Sequence, residues 1–180
     1  MATDYDYELN PPRLAKQKNL DTCWACAMSG LLGANMSAHS PPATSEEELV
    51  TKYATTKTGG IVPAKLGTIA QDFGYLYNAF GNSVDARSIV TDRFIVDRLR
   101  YNGMMMAAWR VRDPDKPTEL FFHAQIVWGV TYLTNQDVGT ERAMLRTMNP
   151  WTAHYELWPL FWIYNNESMP LFTCWPKTRS

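Results

Sequence analysis

Near Asn102-Gly103 the hydrophobic pattern of this chain changes period. Upstream, apolar residues recur at helical spacing behind recognisable starts. Thr22 is placed to N-cap a helix running to about Asn35, with Trp24, Ala27, Met28, Leu31 and Leu32 on or near one face. Ser45-Glu46-Glu47-Glu48 has the form of a capping box before Leu49, Val50 and Tyr53. Pro63 opens a third helix carrying Leu66, Ile69, Ala70 and Phe73, with Gly74 as its stop. A short strand is expected over residues 76–80. Thr91 caps a fourth helix, with Phe94, Ile95 and Leu99, that ends at Asn102-Gly103. Downstream the texture is that of strands: an apolar run over residues 104–111, a long β-branched and aromatic run over 120–133, and a third over 143–148 that leads into Asn149-Pro150-Trp151. The stretches HSPPATS, DPDKPTE and NQDVGT are turns or loops. A helical first half and a β-rich second half predict an α+β fold, in one domain over residues 1–180.

Composition agrees with one well-filled core. The chain has 180 residues, is 46% hydrophobic and 13% aromatic, and carries seven Trp. The tail, with Trp158, Phe161, Trp162, Tyr164, Phe172 and Trp175, is too aromatic for a solvated linker. Residues 1–21 are polar and are expected to lie across the surface. Charged residues are 19% and the net charge is -1, with no basic stripe for nucleic acid. No apolar stretch approaches a membrane span, and the acidic start MATDYDYELNPPR lacks the features of a Sec-type signal. Synthesis in the cytoplasm is therefore expected. Three cysteines make a disulfide framework unexpected and favour at least one free thiol.

Two of those cysteines stand in TCWACA, Thr22 to Ala27. A thioredoxin-like C-x-x-C would follow a buried strand, but the preceding RLAKQKNLD is polar. A zinc site needs four ligands, and Cys23 and Cys26 would have to recruit distant Cys174 and a histidine. A nucleophile asks for less. At a helix N-terminus, the dipole and free N–H groups favour the thiolate, although Asp21 adds an opposing charge.

The residues around this motif carry a resemblance. Gln17, five residues, then Cys23-Trp24-Ala25 resembles the Q-x5-C-W-A signature of papain-like cysteine peptidases. His123 in FFHAQIVWGVTY is similar to that clan's H-A-x-x-x-x-G-Y strand, and Asn149-Pro150-Trp151 is similar to its N-x-W element. The order Gln, Cys, His, Asn is the clan's order. The segment GGIVPAKLGTIAQDFGY resembles compact bacterial members, including those related to the double-glycine leader peptidases.

That resemblance implies a papain-like fold, with the catalytic helix packed against a C-terminal antiparallel sheet. It implies Cys23 as nucleophile, His123 as general base, Asn149 as the group that orients the imidazole, and Trp151 as its shield. Gln17 would donate to the oxyanion beside the Cys23 N–H. Each has a plainer role available: a buried thiol, a satisfied core histidine, a turn asparagine, a surface glutamine. Cys26 is expected to be a buried, inert neighbour. No metal or organic cofactor is implied. The activity implied is cleavage of a protein or peptide substrate, after small residues such as Gly-Gly. Its expected setting is a bacterial effector or toxin, delivered into target cells and held in check by a cognate inhibitor. An acyltransferase, deamidase or peptidoglycan amidase, and an inactive papain-like binding module, are the alternatives.

Overall fold

Residues 105–109 read Met-Met-Ala-Ala-Trp without a polar break because the strand they open is covered on both faces. The computed structural model describes residues 6–35, 44–113, 116, 118–135, 140–164 and 166–177. His39 and most of its loop, and parts of the turns DPDKPTE and NQDVGT, lie outside the described residues.

The helices are α1 (Cys23–Ala34), α2 (Glu46–Tyr53), α3 (Lys65–Asp72), α4 (Ser83–Ile89) and α5 (Asp92–Tyr101). The strands are β1 (Tyr7–Glu8), β2 (Tyr75–Phe80), β3 (Met105–Arg112), β4 (Leu120–Asn135), β5 (Thr140–Asn149), β6 (His154–Pro159) and β7 (Leu171–Pro176). Two 3-10 turns, Leu160–Tyr164 and Asn166–Ser168, link β6 to β7. The sheet is antiparallel throughout, in the order β2-β7-β3-β4-β5-β6. The pairing of β3 with β4 ends at Met105–Val127, and β1 takes the freed edge opposite Gly129 and Val130. Glycine is required there: a Cβ on Gly129 would come within 3.0 Å of Glu8 Cβ and 3.2 Å of the Tyr7 carbonyl. The N-terminal segment is thus a sheet element and not merely a surface strap. Leu9 N–H donates to the Trp128 carbonyl and Tyr155 Oη–H to that of Pro12, at 2.9 and 2.6 Å.

Alternation along the strands sorts the core into two clusters. Met106, Ala108, Ala124, Ile126, Met148 and Phe172 pack with α1, α2 and α3. Met105, Ala107, Trp109, Val127, Leu145 and Leu171 pack on the other face with α4, α5 and the turn Leu160–Tyr164. The sheet is therefore sandwiched, and of the tail aromatics Tyr164, Phe172 and Trp175 are buried in it and Trp158 packs against it, whereas Phe161 and Trp162 are exposed. All three cysteines are buried free thiols.

Local signals place several elements as expected. Ser45 and Glu48 form a reciprocal capping box on α2, and Thr91 caps α5 at 3.1 Å. Gly74 ends α3 in the left-handed conformation (φ 72°), as does Gly103 after α5 (φ 101°). Pro63 lies in the turn ahead of α3, its carbonyl accepting from Leu66 N–H, and the helix itself starts at Lys65. α4 is additional; Asn82 caps it, accepting from Asp85 N–H. Among the described residues, no helix is long and apolar enough to cross a membrane.

Candidate active site

The turn at Asn19–Thr22 launches α1. Thr22 occupies the N-cap position by its backbone, its carbonyl accepting from Ala25 and Cys26 N–H at 3.0 Å each. Its side chain does not cap, contrary to the sequence expectation. The hydroxyl lies 2.6 Å from Glu46 Oε1, the first residue of α2, and is drawn to that carboxylate. The first-turn N–H groups are thereby left to the sulfur. Cys23 and Trp24 N–H face the Cys23 sulfur, and Ala124 N–H of β4 joins them. The thiol itself reaches the Phe122 carbonyl at 3.7 Å. Burial pushes the Cys23 pKa up to about 11; Asp21 adds to the rise and the three N–H groups oppose it.

Phe122 and Ala124 flank His123, so the Cys23 sulfur lies against the β4 backbone on either side of that residue. The space exists because β5 makes its last rung with β4 at Met148–Ile126. Asn149, the next residue, turns its side chain to the imidazole instead: Oδ1 is 2.7 Å from His123 Nε2. Two further bonds fix the amide. Trp151 N–H donates to Oδ1 at 2.9 Å, and Nδ2 donates to Glu156 Oε1 at 2.8 Å. An N–H can only donate and a carboxylate accepts, so Oδ1 faces His123 and the imidazole proton sits on Nε2. Nδ1 is then the basic nitrogen, buried and without a protein partner. Burial lowers the His123 pKa to about 4, against the opposing pull of Asn149 and Glu156. Burial thus disfavours the charged form of both groups, the thiolate of Cys23 and the imidazolium of His123. Phe121 and Trp151 stand edge-on to the ring, with centroids 5.5 and 6.0 Å away, and exclude water from its bond to Asn149.

No protein-family model matches the sequence, and no curated protein matches it at a significant level. Among solved structures, the chain is similar to the peptidase domain of Streptococcus ComA, a bi-functional ABC transporter involved in a quorum-sensing pathway. The match covers 93% of this chain and 100% of that one, with a TM-score of 0.55 and 10% identity. The fold is papain-like.

Within this papain-like frame, His123 and Asn149 are hydrogen-bonded to each other and the Cys23 thiol rests on the β4 backbone next to His123. Gln17 is close by in the chain but differently engaged. Its backbone N–H donates to the Pro150 carbonyl at 2.9 Å, which ties it to the Asn149 turn. Its amide donates to the carbonyls of Asn19 and Leu20 at 2.7 and 2.8 Å, inside the turn that precedes Cys23. Both amide hydrogens are therefore committed to that turn. Trp24 Nε1 donates to the Gly59 carbonyl at 3.0 Å and pins the Gly59-Gly60 turn beside α1. His154 is exposed at the start of β6, and Cys26 is 3% exposed on α1. A cavity of about 920 Å³ runs between residues 9–16 and α1. It is lined by Cys26, Ser29 and Gly33 and by neither Cys23 nor His123, so it is not the place where the chemistry would occur. The residue that sequence reading missed is Glu156. Nothing in YELW marks it; only the β5–β6 pairing, which sets Glu156 opposite Thr147, brings it to Asn149.

Proposed function

We propose that this chain is a cysteine peptidase. The observation that carries the reading is the bare, buried Nδ1 of His123, fixed by the Asn149 amide, on the strand against which the Cys23 thiol rests. His123 Nδ1 takes the thiol proton as Sγ attacks the scissile carbonyl carbon. The oxyanion is met by the Cys23 N–H at the uncapped helix start. Gln17 is the proposed second donor, and in that role it gives up one of its two loop carbonyls. Collapse expels the amine, which leaves with the proton from His123. Water, deprotonated by the same nitrogen, then releases the acyl group as a carboxylate.

The thiol is 5% exposed, so a scissile bond reaches it only if the flanking side chains are slim. Together with the resemblance to double-glycine leader peptidases, this supports cleavage after small residues such as Gly-Gly. Equal cutting of a peptide library after bulky residues would contradict it. The biological role we propose, a bacterial effector or toxin restrained by a cognate inhibitor, rests on the sequence resemblance alone. Expression in a susceptible cell is expected to be harmful only with Cys23 intact.

Terminal proteomics of cells expressing the chain or its Cys23→Ala form tests the activity. New protein N-termini that depend on Cys23 are expected. Identical termini, with amide hydrolysis or acyl transfer on side chains instead, would assign the site to another reaction.

A further inference from the structure

The carboxylate of Glu156 holds its position through three donors, all neutral. Asn149 Nδ2 and Thr152 Oγ1 donate to Oε1 at 2.8 and 2.9 Å, and Trp158 Nε1 donates to Oε2 at 2.8 Å. The side chain is half-buried and none of these donors is a cation, so the bonds orient the charge without neutralising it. The chain turns sharply to deliver it. Ala153 adopts the left-handed conformation (φ 54°), uncommon for a residue with a side chain, and its N–H closes the turn on the Asn149 carbonyl at 2.9 Å.

We propose that Glu156 is a positioning residue that extends Cys23, His123 and Asn149 into a four-member relay. Resting on the peptidase reading for its catalytic consequence, it does two things. Its carboxylate keeps the Asn149 amide hydrogens turned away from His123, which leaves the imidazole proton on Nε2 and the lone pair on Nδ1. Its charge also favours the imidazolium formed when Nδ1 takes the thiol proton. No proton passes to Asn149 or Glu156: Nε2–H stays in place, the S–H bond breaks and the Nδ1–H bond forms.

The surroundings of His123 make Glu156 the source of that charge. Among the described residues, the titratable group that acts on the ring is Glu156 from β6, while the Cys23 thiol of α1 rests on the β4 backbone at Phe122. The β3 partner in register is Trp109, the turn contributes Asn149 and Trp151, and the same strand contributes Phe121. All of these are uncharged. The direction of the Glu156 effect on His123 is upward, against a larger downward effect of burial.

The test is an NMR titration of His123 in the Cys23→Ala protein, with and without Glu156→Gln. The expected result is a fall in the midpoint of about half a unit or more, less than the 1–3 units of a directly contacting charge. In the parent, the ring ¹⁵N shifts report the Nε2–H tautomer. An unchanged midpoint would overturn the proposal. If Glu156→Gln does not fold, Glu156→Asp, which retracts the charge, is read in its place, with a smaller fall expected and no change again overturning it. With a cleavable peptide, Glu156→Gln in the otherwise intact chain lowers kcat about tenfold, leaves KM unchanged and moves the acid limb of the profile to lower pH. The titration needs no substrate. A shifted midpoint without Cys23-dependent cleavage would keep the relay and reject the peptidase, and the reverse result would do the opposite.

Discussion

His123 Nε2 and Asn149 Oδ1 lie 2.7 Å apart at the point where β4 and β5 stop pairing. The end of this ladder leaves Asn149 paired with His154 of β6 alone, and it also opens the β4 edge that receives the start of α1. One topological event therefore gives the imidazole its Asn149 partner and sets the Cys23 thiol on the adjoining β4 backbone.

The buried imidazole sets a pH dependence of stability. His123 titrates near 4 in the folded chain, below the ordinary 6.5 of the unfolded one. The unfolded chain takes up its proton first as pH falls. Stability from this group is complete above about pH 6.5 and declines toward pH 4, by about 3 kcal/mol in all. Urea unfolding at pH 7 and pH 4.5 is expected to show a loss about 2 kcal/mol greater in the parent than in His123→Gln. Equal losses would reject a buried neutral histidine.

Trp24 and Gly59 form a structural joint beside Cys23. Trp24→Phe strands the Gly59 carbonyl and is expected to cost about 1–3 kcal/mol. Gly59→Ala costs about as much: φ is 89°, and the new Cβ would sit 2.7 Å from the Thr22 methyl. Thermal or chemical denaturation reads both.

Gln17→Ala separates two roles. Loss of the bonds to the Asn19 and Leu20 carbonyls is expected to cost about 1–2 kcal/mol of stability. In the proposed oxyanion role, kcat also falls about a hundredfold with KM little changed. A stability loss with kcat intact would confine Gln17 to holding the loop.

Cys26→Ala is expected to keep activity within about twofold and to cost about 1 kcal/mol, since the thiol is 3% exposed and burial pushes its pKa up to about 12. Steady-state rates with one peptide, compared with the inactive Cys23→Ala, check this. A large loss of kcat in Cys26→Ala would mean that both thiols take part.

What could be read from the sequence was local. The Ser45–Glu48 box, Thr91, Gly74 and Gly103 act within a few residues, so their signals survive in the chain itself. The apolar run 104–111 announced a strand, but not that both of its faces are covered. α4 was not read as a helix because it buries a single residue, Ala86, and so has almost no period. The place of β7 between β2 and β3 depends on pairing across 91–101 residues to β2 and 64–68 to β3, which no local pattern encodes. At the site, residue types and order pointed to Cys23, His123 and Asn149. The diversion of Thr22 to Glu46 and the reach of Glu156 to Asn149 come from tertiary contacts alone.

The central claim is that His123 activates Cys23. Site-resolved alkylation by iodoacetamide at neutral pH, followed by peptide mapping, measures it directly. Cys23 is expected to react at least about tenfold faster than Cys26 and Cys174, and to fall to their rate in His123→Ala. Equal rates for the three thiols in the parent chain, or a Cys23 rate untouched by His123→Ala, would contradict it.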